Sequence, residues 1–332
     1  DPAGAGGRRA GAGAALPRVF LAFLAGAAGS LLGGVAGFFA SRPLGLEAGE
    51  AARATGCLAA TYIGGSVNFF ATARLVGLTA SSLGALAAAD IAVMGLYFAS
   101  LGAAHRNRHL RRLLPGRPES SRSAPSVAAP VAPKGSERPG PSAVCVSAAA
   151  AGLSLLAGAW AERLPGALPG AGTMAVTAAA CALGALVRRG RNGQPVAVAN
   201  FSRSAASLSM LVFFAAAGAQ ARISELVTRS ASLLALALIV LAVHAAFLLG
   251  AVLLANRLLL RRGPGSTLGP VSLDEVLVAS NANVGGASSA AAFAGASLGR
   301  PDLVLPATAS GVLGYGIATT SGVLLTRLLW RP

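Results

Sequence analysis

Two short polar segments interrupt apolar stretches of this chain, TYIGGSVN at 61–68 and NANVGGASS at 281–289. Each contains a glycine pair, which can release backbone N–H and C=O groups from helical hydrogen bonding. Carbonyl groups at the end of a half-helix suit a cation such as Na⁺, and N–H groups at the start of the next half-helix suit an anionic group. With the nearby hydroxyl and amide side chains, these groups predict a site for a small solute or an ion.

The candidate binding residues are the glycine pairs, the polar side chains around them and one acid in a neighbouring segment. A second interpretation is that the polar side chains only satisfy released backbone groups or hold helices together. Matching interruptions in two halves of a chain favour a shared substrate or ion site. The predicted site residues are Thr61, Tyr62, Gly64, Gly65, Ser66, Asn68, Asp90, Asn281, Asn283, Gly285, Gly286, Ser288 and Ser289.

Asp90 and His244 are ionisable residues inside apolar segments. A carboxyl group within a membrane is a functional hypothesis by default, so Asp90 is predicted to coordinate a cation or carry a proton. The other interpretation is an acid hydrogen-bonded by a neighbouring helix or placed near the interface. His244 could relay protons or be a neutral imidazole bonded to another helix. His105 and His109 flank Arg residues at the edge of a segment, and interfacial solvation is expected for both.

Other kinds of site are not indicated by the sequence. Cys57, Cys145 and Cys181 lack CxxC spacing and any His or acidic residue at ligand spacing, so no metal site is predicted. No Ser, His and Asp combination or carboxylate pair indicates hydrolysis, so we expect neither an enzyme nor a cofactor beyond a coupling ion. Ser272 and Glu275 fit a capping box at the start of a helix, which is a structural role.

Composition places these residues in a membrane. Of the 332 residues 54% are apolar and only 11% are charged, and many stretches of about 20 residues carry no charge, which is the length that crosses a bilayer. The predicted fold class is an all-α integral membrane protein with about nine segments. These are 16–40, 51–78, 82–103, 143–160, 172–188, 204–220, 231–260, 272–298 and 303–330.

The net charge of +16 comes from Arg residues in short loops, without the aromatic residues that stack on nucleic-acid bases. We therefore expect no nucleic-acid partner. Arg clusters follow the third, fifth and seventh segments, and the positive-inside rule places all three on the cytoplasmic or stromal side. The predicted organisation is a disordered segment at 1–15, a partial transmembrane repeat at 16–103, a basic Pro- and Ser-rich linker at 104–142 and a second transmembrane repeat at 143–332.

The two halves of the chain align on each other without a gap. The shift that places Gly64 on Gly285 and Gly65 on Gly286 also places segment 16–40 on 237–261. Each half then contains a span, a glycine-interrupted helix and another span. Three segments that precede residue 231 have no counterpart before residue 16, so the N-terminal repeat is expected to be truncated.

The direction of the interrupted helices stays open at this point. About 10 residues precede each glycine pair, and at 1.5 Å per residue they cannot cross roughly 30 Å of hydrocarbon. Each segment must therefore break inside the membrane. Because five segments separate them, the two are parallel if each crosses the membrane and inverted if each is a re-entrant hairpin.

The segments TYIGGSVNFFATA and ASNANVGGASSAAAFAGA, with the later LVLPATASGVLGYGIATTSGVLL, resemble the uncharacterised membrane-protein family known as domain of unknown function 819. The RVFLAFLAGAAGSLLGG stretch is also similar to that family. The resemblance covers 16–330 apart from the linker. It implies a distant likeness to the bile-acid:sodium symporter and cation:proton antiporter folds, in which two broken helices cross near the membrane midplane.

The favoured functional hypothesis is a secondary active transporter that couples Na⁺ or H⁺ to movement of a small, anionic solute between the two interrupted helices. The alternative is a passive channel or a non-transporting scaffold of the same fold. Expected partners are the lipid bilayer and a small-molecule solute, and a homo-oligomer is left open. The expected location is the plasma membrane in a bacterium, and the plastid envelope or thylakoid in an alga or plant.

Overall fold

The computed structural model describes residues 2–115, 140–189, 197–202, 204–205, 208, 223–261 and 269–330. These residues form helices joined by short connections, and no strand occurs among them. The prediction of an all-helical protein is therefore confirmed. Helices suit an apolar environment because all of their internal backbone groups are hydrogen-bonded within one segment.

The helices with described bounds are numbered in chain order. The first begins inside the segment 1–15, for which disorder is predicted. They are α1 Pro2–Ala40, α2 Ala48–Gly64, α3 Ser66–Val76, α4 Ala80–Arg106, α5 Arg108–Leu113, α6 Pro141–Glu162, α7 Ala171–Arg189, α8 Ile223–Arg261, α9 Leu273–Ala292 and α10 Val304–Leu329. A π-helical turn at Phe293–Ser297 and a 3₁₀ turn at Pro301–Leu303 connect the last two.

Five helices are long and apolar enough to cross a membrane, and they fit a multi-pass membrane protein. They coincide with five of the nine predicted segments. Predicted segment 172–188 corresponds to a shorter apolar helix, and most of segment 204–220 lies outside the described residues. The five spans are Ala15–Ala40, Ala80–Arg106, Pro141–Glu162, Ala231–Leu259 and Pro301–Leu329.

The bundle has two ends, which we name by residues found there. At the Glu50 end, α1 finishes beside the start of α8, where Ser232 donates a hydrogen bond to the Leu44 carbonyl at 2.7 Å. At the Arg18 end, Arg18 near the start of the span Ala15–Ala40 pairs with Glu275 near the start of α9 at 2.7 Å. Helices α1 and α8 run in opposite directions and share the most extensive helix–helix packing among the described residues.

Helices α2 and α3 enter and leave the bundle at the Glu50 end. Arg53 in the second turn of α2 donates to the carbonyl of Gly77, which follows α3, at 3.5 Å. Ser82 at the start of α4 donates to Glu50 near the start of α2. The chain therefore turns back at Gly65, and we call α2 and α3 the first hairpin.

Helix α9 enters at the Arg18 end, and the chain returns to that end through the π-helical turn. Arg300, which follows this turn, donates to Asp274 in the first turn of α9 at 3.2 Å. Ser289 donates to Asn281 at 2.8 Å, so residues on the two sides of Gly286 lie side by side. We call residues 273–297 the second hairpin.

Helix α10 packs against both hairpins through small residues. A Cβ atom added to Gly314 would lie 3.2 Å from the Cα of Gly64, and one added to Gly322 would lie 2.9 Å from the Cβ of Ala60. One added to Gly311 would lie 2.9 Å from the carbonyl carbon of Gly286. Small residues at these positions let helix backbones approach closely, so α10 packs tightly against both hairpins.

Candidate functional site

The two hairpins have nearly the same backbone conformation at their turning points. Gly65 has φ 78° and ψ 175°, and Gly286 has φ 77° and ψ −171°. Residues with a Cβ atom avoid this region, so glycine is required at both positions. The alignment of the two halves places these two glycines on each other.

The turning points also meet in space. A Cβ atom added to Gly65 would lie 3.6 Å from the carbonyl carbon and oxygen of Gly285, and 3.6 Å from the nitrogen of Gly286. The backbone of one hairpin tip is thus in contact with that of the other, without side chains between them. Since the hairpins enter from opposite ends of the bundle, the contact lies in its interior.

In the first hairpin, Asn68 is buried and has hydrogen-bond partners on both sides. Its amide nitrogen donates to the Gly64 carbonyl at 2.7 Å, and its carbonyl oxygen accepts from Thr319 of α10 at 2.8 Å. Asn68 therefore joins the two helices of the hairpin to α10. Ser66 is half-buried at the first position of α3.

Asp90 on α4 faces the same hairpin. Its side chain is buried, with 2% of the residue exposed, and one carboxyl oxygen accepts from Thr61 at 3.5 Å. The other carboxyl oxygen is buried without a hydrogen-bond partner. The hydroxyl of Tyr62 faces Asp90 and interacts with its carboxyl group, but neither this hydroxyl nor the second carboxyl oxygen makes a hydrogen bond of good geometry.

In the second hairpin, two asparagines differ in whether the side-chain oxygen has a hydrogen-bond partner. Asn281 accepts from Ser289, whose hydroxyl also approaches the Gly286 carbonyl at 3.3 Å. The amide nitrogen of Asn283 donates to the carbonyls of Phe23 and Ala279, each at 3.1 Å, but its buried oxygen has no partner. The latter oxygen is the unsatisfied group nearest the tip of this hairpin in sequence.

Tyr315 of α10 binds the tip of the second hairpin and is not among the predicted site residues. Its hydroxyl accepts from the backbone N–H of Ala287 at 3.0 Å, and its ring lies against Gly286. This N–H begins the second half of the hairpin. The sequence signal was weak, a single aromatic residue between Gly314 and Gly316.

A second polar cluster surrounds His244 and connects five helices. The imidazole Nδ1 lies 2.9 Å from the Gly26 carbonyl and 2.9 Å from the Ser30 hydroxyl, while Nε2 lies 3.0 Å from Ser280. A carbonyl only accepts, so the neutral ring carries its proton on Nδ1 and accepts from Ser280 at Nε2. Ser280 also contacts the hydroxyl of Tyr97 at 2.5 Å.

The same cluster reaches the first hairpin through Ser30, whose hydroxyl donates to the Tyr62 carbonyl at 2.6 Å. Both ring nitrogens of His244 thus have partners on neighbouring helices. This geometry favours the neutral, hydrogen-bonded imidazole among the two interpretations of this residue.

Ion pairs close the Arg18 end around the start of α9. Asp274 accepts from Arg300 and lies 3.1 Å from His105 and 3.6 Å from Arg111. Glu275 pairs with Arg18, and both side chains are buried, at 3% and 7% exposure. Asp274 and Glu275 thus tie the second hairpin to α1, α4 and α5, a role beyond helix capping.

The capping box predicted at Ser272 is confirmed, since its hydroxyl accepts from the Glu275 N–H and the Glu275 carboxylate accepts from the Ser272 N–H. The prediction that His105 is only solvated at the interface is wrong, because Asp274 and Arg111 both contact it. Beside this cluster, hydrogen bonds to Asp302 raise the pKa of the Arg300 guanidinium.

The Glu50 end holds an open polar cavity of about 610 Å³. Acidic, basic and hydroxyl side chains all line it, including Glu47, Glu50, Arg53, Thr79 and Ser82. Arg53 donates to the backbone carbonyls of two glycines and makes no ion pair with another described residue. The cavity beside Arg18, of about 420 Å³, is instead lined mainly by apolar side chains, so the two ends differ in the polarity of their cavities.

The structure brings together most of the predicted residues. Gly65, Gly285 and Gly286 form the contact between the tips, and Gly64 lies beside it. Ser288, by contrast, is exposed on the outside of the second hairpin. Thr61, Tyr62 and Asp90 form one group, and Asn281, Asn283 and Ser289 lie in the other hairpin, so a binding role for them stays a prediction.

Comparison with protein families identifies the chain. A family model described as protein of unknown function (DUF819) matches residues 14–331, so the chain belongs to that family. No curated protein and no solved structure shows a significant match.

Proposed function

We propose that this member of the DUF819 family is a secondary active transporter that binds a small anionic solute between the tips of its two hairpins. Movement of the solute would be coupled to Na⁺ or H⁺. The single observation that carries the proposal is the contact between Gly65 and the Gly285–Gly286 backbone. Interrupted helices whose ends meet inside a membrane protein are the usual setting for a transporter's binding site.

The order of the helices supports this proposal. In the first half, α1 runs from the Arg18 end to the Glu50 end, the hairpin enters from the Glu50 end, and α4 runs back. In the second half, α8, the second hairpin and α10 repeat these steps in the opposite direction. Inverted repeats of this kind provide two equivalent conformations that open to opposite sides.

Backbone chemistry at the tips suits an anion. The second half of each hairpin begins at the tip, so the N–H groups of its first turn point towards the centre of the bundle. In the second hairpin Tyr315 already accepts from the Ala287 N–H. No side chain caps the start of α3, which leaves its first N–H groups for a solute.

The two ends of the bundle support alternating access. Buried ion pairs hold the Arg18 end together, while the Glu50 end has an open polar cavity. The Arg-rich end of α4 lies at the Arg18 end, so the positive-inside rule puts that end in the cytoplasm or stroma. The conformation described here would then be closed towards that compartment.

A ligand screen on the purified protein tests the proposal. Small organic anions, each with and without Na⁺, should include one that raises the unfolding temperature, because a ligand at about 100 times its Kd stabilises a protein by about 2.7 kcal/mol. Asn283→Ala should reduce that shift. Asn256→Ala is the matched control, because Asn256 pairs with Val271 far from the tips.

Equal shifts in the wild type and in Asn283→Ala would contradict a site at the tips. Solute flux into vesicles that needs no ion gradient and continues down its own gradient would indicate a passive channel. A protein that no anion stabilises would be better described as a scaffold.

A further inference from the structure

Asp90 is a buried carboxyl group without a positive partner. None of the ion pairs between described residues involves it, and its contacts with polar side chains are the 3.5 Å hydrogen bond from Thr61 and the neighbouring hydroxyl of Tyr62. An unpaired carboxylate at membrane depth is strongly disfavoured, and proteins avoid it by pairing or neutralising the charge. The site therefore needs either a proton or a bound cation.

Two oxygen atoms at this site lack partners at the same time. They are one carboxyl oxygen of Asp90 and the neighbouring hydroxyl oxygen of Tyr62. One proton satisfies both, because a protonated carboxyl oxygen can donate to the tyrosine oxygen. The other carboxyl oxygen of Asp90 still accepts from Thr61.

We infer that a proton is the coupling ion and that Asp90 carries it, shared with the hydroxyl of Tyr62. The inference rests on the proposed transport function and selects one of its two coupling ions. Loading places a proton on the free carboxyl oxygen, and release returns it to water and leaves a carboxylate. No other bond is made or broken.

The surroundings of Asp90 are unsuited to a metal cation. Hard cations take about six oxygen ligands, and the side-chain oxygens of described residues that contact the Asp90 carboxyl group are those of Thr61 and Tyr62. Leu86 and Val93, one turn to either side on the same face of α4, are buried in an apolar cluster. These side chains alone supply fewer oxygens than a hard cation takes, which favours a proton at this site.

Few other ionisable groups face Asp90. From α2 they are Tyr62 and the thiol of Cys57, which both interact electrostatically with it. Helices α3, α8 and α9 contribute apolar side chains to the cluster that contains Leu86 and Val93, among them Phe69, Leu236 and Val284. His244 is on α8 but uses both ring nitrogens elsewhere.

A route for protons leads from the cavity at the Glu50 end. Ser82 lines this cavity and donates to Glu50, and it lies eight residues before Asp90 on the same face of α4, about 12 Å away. Leu86 lies halfway between them and is completely buried. In this conformation Leu86 separates the proton site from the cavity, so loading would require a small movement of α2 against α4.

The second half of the chain has no acid at the position that matches Asp90. When the two glycine pairs are aligned, the position that matches Asp90 in the second half is Gly311, which packs against the second hairpin. A protein with a single protonatable carrier would move one proton in each transport cycle.

Chemical labelling tests the inference without knowledge of the solute. Dicyclohexylcarbodiimide adds to protonated carboxyl groups in apolar surroundings, and the adduct rearranges to a stable N-acylurea. In the purified full-length chain, peptide mass spectrometry should find the label on Asp90. Labelling should fall as the pH rises, because the carboxylate does not react, and it should be the same in Na⁺ and in choline.

Asp90→Asn should lose this label and still fold, because the amide resembles the protonated acid. Asp302→Asn is the control, since Asp302 is a partly exposed acid paired with Arg300. Protection of Asp90 by Na⁺, or the absence of label from an accessible wild-type protein at acid pH, would overturn the inference. Both results leave the anion-dependent stabilisation intact, so they are distinct from failure of the proposed transport function.

Discussion

The two hairpins share one backbone conformation and differ in the side chains around it. Gly65 and Gly286 have matching dihedral angles, and the backbones of the two tips are in contact. Around the first tip lie an acid and two unpartnered oxygens, whereas Tyr315 caps a backbone N–H of the second tip. An open cavity leads to the first hairpin, and buried ion pairs close the entrance of the second.

This difference indicates that the two halves share a main-chain conformation but use different side chains around it. Main-chain conformation is repeated because the contact between the tips depends on it. The buried acid without an ion pair to a described residue, Asp90 of α4, faces the first hairpin, whereas Asp274 and Glu275 of the second hairpin are held in ion pairs. Substitutions at matched positions of the two hairpins should therefore have unequal effects on stability.

The two hairpin entrances should respond very differently to loss of an arginine. Arg18→Met leaves Glu275 buried without its partner, which should cost about 3–5 kcal/mol of unfolding free energy. Arg53→Met removes only hydrogen bonds to backbone carbonyls at a half-exposed site and should cost about 1 kcal/mol. Denaturant unfolding in detergent, followed by Trp160 and Trp330 fluorescence, measures both. Equal losses would contradict the difference between the two ends.

Alanine at the two turning glycines should separate backbone strain from steric clash. Gly65→Ala should cost about 1–2 kcal/mol from strain alone, because the new Cβ atom would have ordinary contacts at 3.6 Å. Gly286→Ala adds a clash with the Tyr315 ring at 2.6 Å, which should raise the cost to about 3 kcal/mol. Gly316→Ala, a helical position in open space, is the control. Thermal unfolding that ranks Gly65→Ala as the more damaging would refute this assignment.

Removal of one hydroxyl should loosen the second tip alone. Tyr315→Phe leaves the Ala287 N–H without its acceptor, at a cost of about 1–2 kcal/mol. Hydrogen exchange should then accelerate in the peptide that contains Ala287. Met94→Leu is the matched control, because Met94 occupies the corresponding position in the first half and accepts no such bond. Unchanged exchange in Tyr315→Phe would show that the hydroxyl does not cap the tip.

Prediction from sequence succeeded where the signal was local. The capping box at Ser272 needs only residues three apart, and it is present. Apolar stretches of helical length correspond to the five spans. The direction of the hairpins was undecidable, because helices that cross and helices that re-enter have the same local sequence. The contacts of Arg53 with Gly77 and of Arg300 with Asp274 show that each segment returns to the end of the bundle at which it begins.

The environment of the predicted site residues also depends on contacts that the local sequence does not reveal. Asn68 and Asn283 look alike in sequence, since each stands two or three residues from a glycine pair. Asn68 has partners for its oxygen and its nitrogen, while the oxygen of Asn283 has none. Thr319, from the opposite half of the chain, donates to the Asn68 oxygen, whereas Phe23, also from the opposite half, supplies Asn283 only with an acceptor for its nitrogen.

The sequence by itself determined that the chain is helical and apolar enough for a membrane, and where its helices turn. Glycine alone adopts the backbone angles needed at those turns, so their positions are visible in the sequence. Only the tertiary structure decided that both segments turn back on themselves, that their tips meet, and that no described residue forms an ion pair with Asp90. These features depend on packing between distant segments, and no local pattern encodes which helices become neighbours.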